Sequence, residues 1–143
     1  MMRRLPVLAL LILLLTACVT NPFGMMGSGR GMEGMMDRHM APIPAEYANV
    51  TNPVPADDES LARGKAIYEA KCAACHGTGG QGDGPAAAGL DPAPAPIAHT
   101  AQMLSDAYVF YRTSEGGGFA PFDSAMPAWK GQLDETERWD VIN

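Results

Sequence analysis

The stretch Lys71–Pro85, KCAACHGTGGQGDGP, holds two of the chain's three cysteines, one of its three histidines and five of its sixteen glycines. The residues leading into it, ADDESLARGKAIYEA, read as a helix. Asp57 or Asp58 suits the N-cap, and the acidic Asp58 and Glu59 suit the first turn. Leu61, Gly64/Lys65, Tyr68 and Cys72 recur at helical spacing and mark one face. Residues three and four apart are neighbours on a helix. Cys72, Cys75 and His76 therefore lie together, two thiols on one face with an imidazole beside them. The glycine-rich run after them cannot continue the helix, so it frees the chain to pass around whatever the three residues hold.

C-x-x-C-H at this spacing is the attachment signature of a c-type heme. Cys72 and Cys75 can bond the two vinyl groups along one edge, and His76 is placed to ligate the iron from below. One covalent heme c is the expected cofactor. Competing readings explain less. A thioredoxin-like C-x-x-C needs a βαβ context, which is absent. A zinc site needs a fourth ligand, and only His99 and carboxylates are on offer. A Cys72–Cys75 disulfide would close a two-residue loop and account for neither His76 nor the glycines.

A heme iron with one histidine has a sixth position to fill. The same region offers Met126, Met103 and His99. Met126 sits in the loop SAMPAW, stiffened by Pro127, and is the ligand we favour. Met103 falls on the apolar face of a helix, where methionine usually packs as core. His99 lies in a proline-rich loop and reads as solvated. A thioether ligand favours Fe(II) and raises the reduction potential above that of a bis-histidine heme. With His76 and Met126 both bound, the iron has no place for a small-molecule substrate. The expected function is one-electron transfer between redox protein partners, with no catalytic residue. Two other readings stand beside it: a ligand-binding or catalytic heme with a displaceable sixth ligand, and a metal-handling protein.

The rest of the chain fits a small cofactor domain with extensions. It has 143 residues, 7% aromatics, 16 glycines, 12 prolines and 10 methionines. So few aromatics build a poor apolar core unless a large cofactor or another staple adds to it. A net charge of −6 argues against a nucleic-acid partner, which demands a basic face. Residues 1–17 read as a signal peptide: Arg3-Arg4, an apolar run from Leu5 to Leu15, too short to span a bilayer, then Thr16-Ala17-Cys18. Leu15–Cys18 resembles the lipobox of bacterial lipoproteins, which implies cleavage before Cys18 and lipidation of its thiol. The two or more acyl chains of such an anchor give stable membrane attachment. The expected location is the periplasmic side of a bacterial membrane. The Arg pair hints at twin-arginine export, but heme attachment follows export of an unfolded chain, which argues against that route. Loss of Arg3 and Arg4 takes the formal charge from −6 to −8.

Residues 18–56 read as a disordered, lipidated tether rich in Met, Gly and Pro. Met25, Met26, Met32, Met35, Met36, Met40 and His39 form a cluster whose soft thioethers suit Cu(I). The folded domain is expected over 57–143 and all-α. A second helix is read from Thr100, as cap, with Met103, Leu104, Ala107, Phe110 and Tyr111 on one side and Gly116–Gly118 as its stop. A short helical turn is expected over 85–89. Asp134 and Glu137 have the spacing of a capping box that opens a last helix carrying Trp139 and Ile142.

The stretch from about Leu61 to Asn143 resembles the class I cytochromes c. The shared features are a helix running into C-x-x-C-H, a Gly-Pro ending nine residues after the histidine at Pro85, a middle helix, an M-P loop and a last helix with an aromatic. The resemblance implies three to four helices around the heme. It also implies that the Pro85 carbonyl accepts the Nδ1 hydrogen bond of His76 and so orients it. It further implies that the first and last helices cross at a glycine and an aromatic, here Gly64 and Tyr68 against Trp139. The family's last helix usually runs further than Asn143, so this packing is trimmed or the sequence is a fragment. Within the family, NPVPADDESLARGKAIYEAKCAACHGTGGQGDGP and MPAWKGQLDETERWDVIN are similar to the lipid-anchored monoheme subunit of alternative complex III, a quinol-oxidising respiratory complex.

Overall fold

The computed structural model describes residues 34 and 36–143. The signal peptide, Cys18, Met25, Met26, Met32 and Met35 lie outside the described residues. Among the described residues there is no strand, and no helix is long and apolar enough to cross a membrane.

Helix α1 spans Asp58–Ile67. Asp57 caps it, its carboxylate accepting from the Ser60 amide at 2.8 Å. The helix does not stop at Ile67. It widens into one π-turn over Tyr68–Cys72 and resumes as α2, Ala73–His76. A π-turn inserts a residue's worth of rotation into a helix and often marks a functional site. Here it lies directly before the first attachment cysteine, and Tyr68 reaches forward to donate its hydroxyl to the Gly77 carbonyl at 2.7 Å.

The middle of the chain is more broken than the sequence pattern suggests. A short α3, Ile97–Thr100, runs into a 3-10 turn, Ala101–Met103. The chain then extends through Leu104 and restarts as α4, Asp106–Glu115, whose N-cap is Ser105 accepting from the Tyr108 amide. Thr100 is therefore not the cap. Ser105 followed by Asp106 is the stronger start, because a hydroxyl cap and an acidic first turn coincide there. Met103, read as a core position, is 63% exposed, because the break at Leu104 turns it off the helix face. Residues 85–89 make turns and no helix.

Helix α5, Glu135–Asp140, opens on the expected capping box. Asp134 and Glu137 exchange side chain-to-backbone bonds of 2.8 Å in both directions. Helix α5 packs against both α1 and α4. Trp139 is 1% exposed and stacks on Phe110 at 3.9 Å between centroids. Such a pair adds roughly 0.5–1.5 kcal/mol beyond its buried area. Gly64 lets α1 touch α5, as expected, but the surface it meets is the backbone of Asp140 and Val141. The partner of Trp139 is Phe110, and Tyr68 is engaged at Gly77.

The α1–α5 contact also carries a buried acid. Asp140, 2% exposed, accepts from Arg63 Nε at 2.7 Å and Nη2 at 2.9 Å, and from Ser60 Oγ at 2.7 Å. The Arg63 guanidinium holds this carboxyl below its ordinary range, helped by Ser60 and opposed by burial. A forked guanidinium–carboxylate pair fixes orientation as well as energy, so it registers one helix on the other.

The folded part begins earlier than residue 57. Ala41 is buried, and with Tyr108, Tyr111 and Phe122 it forms a cluster that Ile43, Tyr47 and Leu104 pack against. At least the segment from Arg38 to Val54 lies on the domain, because its apolar side chains meet aromatics that α4 leaves exposed on its second face.

Candidate functional site

Cys72, Cys75 and His76 sit where the sequence places them, on the continuous helical run that ends at Gly77. Both thiols are free and half-buried. Burial raises the Cys72 thiol, with neighbouring Lys71 pulling the other way.

His76 Nδ1 lies 3.0 Å from the carbonyl oxygen of Ala95. A carbonyl can only accept, so Nδ1 donates, and Nε2 is the ring nitrogen left to face a metal. The expected acceptor was Pro85; in this structure it is Ala95. The backbone shows why. The amides of Gly84 and Ala86 donate to the carbonyls of Cys75 and Ala74, at 3.1 and 2.8 Å. This pins Pro85, exposed, alongside the attachment turn. The chain then continues around, and Ala98 donates to Gly80 at 3.0 Å, which closes the loop and brings Ala95 to the ring. A main-chain carbonyl has no residue signature, so nothing in the sequence singles out Ala95.

Met126 is half-buried in a loop fastened to the end of α4. Gly116, at φ 70°, is the fastening point. A Cβ there would fall 2.5 Å from the Pro127 carbonyl carbon and 2.6 Å from the Ala128 nitrogen and the Met126 oxygen. Only glycine fits both the backbone angle and the space. Gly117 then donates to the Met126 carbonyl at 2.9 Å, and Ser124 donates to Gly117 at 2.7 Å. After Met126, the amides of Trp129 and Lys130 donate to the carbonyls of Thr113 and Ser114, both at 3.2 Å. Trp129 lies under Lys71 Nζ, 5.6 Å from its ring centroid, so the methionine loop reaches the residue next to Cys72. The other two sixth-ligand candidates, His99 and Met103, are exposed.

The donor set fits a heme c. Two unpaired thiols stand one helical turn apart, an imidazole has Nδ1 committed to a carbonyl so that Nε2 is the nitrogen left over, and a thioether sits on a stiff loop that reaches the residue beside Cys72. Among the described residues no group of three or more His, Cys, Asp or Glu is arranged to hold a metal ion.

Comparison with known proteins agrees with this chemistry. A family model described as cytochrome c matches residues 61–143. The chain is 34% identical over 107 residues to the cbb3-type cytochrome c oxidase subunit CcoP of Azospirillum sp. (strain B510), covering 73% of this chain and 34% of that protein. The CcoP of Azospirillum brasilense is 32% identical over 118 residues, 81% of this chain and 37% of that protein. The chain thus spans about a third of the length of these curated relatives. Cytochrome c6 of Chlorolobion braunii is 34% identical over 84 residues, 56% of this chain and 81% of that protein. Among solved structures, a chain of the Kuenenia stuttgartiensis reducing HAO-like protein complex superposes with a TM-score of 0.50 at 27% identity, over 63% of this chain and 44% of that one. The matched span begins on α1 and takes in the cysteine pair, the methionine loop and α5, and on that ground the chain belongs to the cytochrome c family, as an electron-transfer domain with covalently bound heme c.

Proposed function

We propose that this chain carries one heme c, bonded through Cys72 and Cys75 with His76 and Met126 as axial ligands, and passes single electrons at the periplasmic face of a bacterial membrane to which lipidated Cys18 tethers it. The observation that carries the reading is the pairing of a histidine whose Nδ1 is committed to Ala95 with a methionine loop stapled to α4 and resting near Cys72. Bound there, the heme supplies an iron that cycles between two oxidation states. The protein's part is to hold both axial side chains still. His76 is oriented by a backbone carbonyl that does not titrate. Met126 is held by a loop with backbone bonds on both sides. Little has to move when charge changes, which suits electron transfer more than ligand binding.

The wider placement follows from the anchor and the partners. We place the chain as an electron-transfer subunit of a quinol-oxidising respiratory complex of the alternative complex III kind. The matches to CcoP proteins favour a second placement, beside a terminal oxidase. Detergent extraction of the native membrane tests both. The expected result is one heme per chain, a low-spin spectrum and co-purification with multiheme and iron–sulfur subunits. Co-purification with oxidase subunits selects the second placement. A protein found only in the soluble fraction removes the anchor from the proposal.

A further inference from the structure

We propose that the segment Arg38–Val54 is a strap that holds the Met126 loop in its ligating position, with Tyr47 as the positioning residue; this rests on the reading of Met126 as axial ligand. The segment is pinned along its length. The Tyr108 hydroxyl donates to the Arg38 carbonyl at 2.6 Å, and Ala41 is buried among the aromatics of α4. The Tyr47 ring lies 5.3 Å from that of Tyr111 and 6.1 Å from that of Phe110. At the far end Asn52 donates to the Asn143 side chain at 2.7 Å, and Asn143 donates to the Val54 carbonyl at 3.2 Å.

The link to the site is Glu115, the last residue of α4. The Tyr47 hydroxyl donates to its carboxylate. Lys130 Nζ pairs with the same carboxylate at 2.7 Å, four residues beyond Met126, while the Lys130 amide donates to Ser114. One carboxylate thus joins the strap to the chain leaving the methionine. The Lys130 side chain is 54% exposed, and such an ion pair alone is weak. A hydroxyl bond to a charged acceptor is the stronger member of the network. Burial and the Glu115 carboxylate push the Tyr47 phenol up to about 12, so it remains a donor across the ordinary pH range.

A strap that only adds overall stability predicts a different result from one that closes the loop. Exogenous imidazole competes for the iron position Met126 holds, and its apparent affinity scales with the open fraction of the loop. In the full-length heme-loaded protein, Tyr47→Phe is expected to bind imidazole about tenfold more tightly with an unaltered resting spectrum. Glu115→Gln is expected to do the same, and the double variant to add little, because both act through one path. Asp134→Ala removes a helix cap outside the strap and supplies the comparison for lowered stability. Wild-type imidazole affinity in Tyr47→Phe, or an equal rise in Asp134→Ala, would overturn the strap. A wild-type protein without a methionine–iron band, unchanged by Met126→Ala, would instead overturn the ligand assignment and the strap with it.

Discussion

Replacing Gly64 by alanine sets two forces against each other. On helical propensity alone the change stabilises α1 by about 1 kcal/mol. At the helix crossing, a Cβ on residue 64 would lie 2.6 Å from the Asp140 carbonyl carbon and 3.2 Å from Val141 Cα, and closer still to the Asp140 oxygen. All three are backbone atoms, so no rotamer change relieves the clash and the end of α5 must move. Overpacking of this kind costs roughly 1–3 kcal/mol. The displaced residue is also the one whose buried carboxylate takes three hydrogen bonds from Arg63 and Ser60. Spoiling one charge-assisted bond costs roughly a further 1.5–3 kcal/mol. The crossing wins, by about 1.5–5 kcal/mol net. For a domain of this size each kcal/mol moves the melting temperature by about 4–8 °C. Thermal unfolding of the heme-loaded protein, followed by far-UV circular dichroism, is the assay. Gly118→Ala is the control, since nothing lies within 4 Å of a Cβ there; it is expected within about 1 kcal/mol of wild type, towards stabilising. An unchanged or raised melting temperature in Gly64→Ala would refute the close approach of α1 and α5.

Three further outcomes are expected. Met126→Ala should lower the reduction potential and let carbon monoxide bind the ferrous protein; an unchanged spectrum would mean that another residue ligates the iron. Asp140 has a folded-state pKa below its ordinary 3.8, held down mainly by Arg63, so its stabilisation is complete above that value and is lost as pH falls through the lower folded value. Asp140→Asn should therefore weaken the protein at neutral pH and flatten the acid side of its stability profile, and a parallel profile would show that the carboxylate is not coupled to folding. Cys18→Ser should move the protein from the membrane to the soluble fraction, and persistent membrane association would rule out lipidation as the anchor.

What could be read from the sequence depended on whether a feature is written in side-chain chemistry. CAACH is legible because the attachment run of a c-type heme tolerates few residue types and one spacing. The capping box at Asp134 and Glu137 is legible for the same reason, as is Gly64, whose cost within a helix calls for a close neighbour. Ala95 was not legible, because any residue supplies a carbonyl; only the path of the loop brings that one to His76. Thr100 and Ser105 both offer a hydroxyl cap, and the extended Leu104 between them decides for the second.

The strap was missed for a different reason. Ala41, Ile43 and Tyr47 follow neither a helical nor a strand period, because a turn at Pro44–Ala48 sets their directions. A segment with three prolines and no period reads as linker. Yet α4 carries more apolar surface than one partner can cover: Phe110 and Ser114 turn towards α5, while Tyr108, Tyr111 and Glu115 turn away from it. An amphipathic helix with two apolar faces needs a second cover; Leu104 and Phe122 supply part of it, and Ala41, Ile43 and Tyr47, which precede α1, supply the rest. The two-faced pattern of α4, and not the composition of the preceding segment, is the signal that the chain before residue 57 folds back onto the domain.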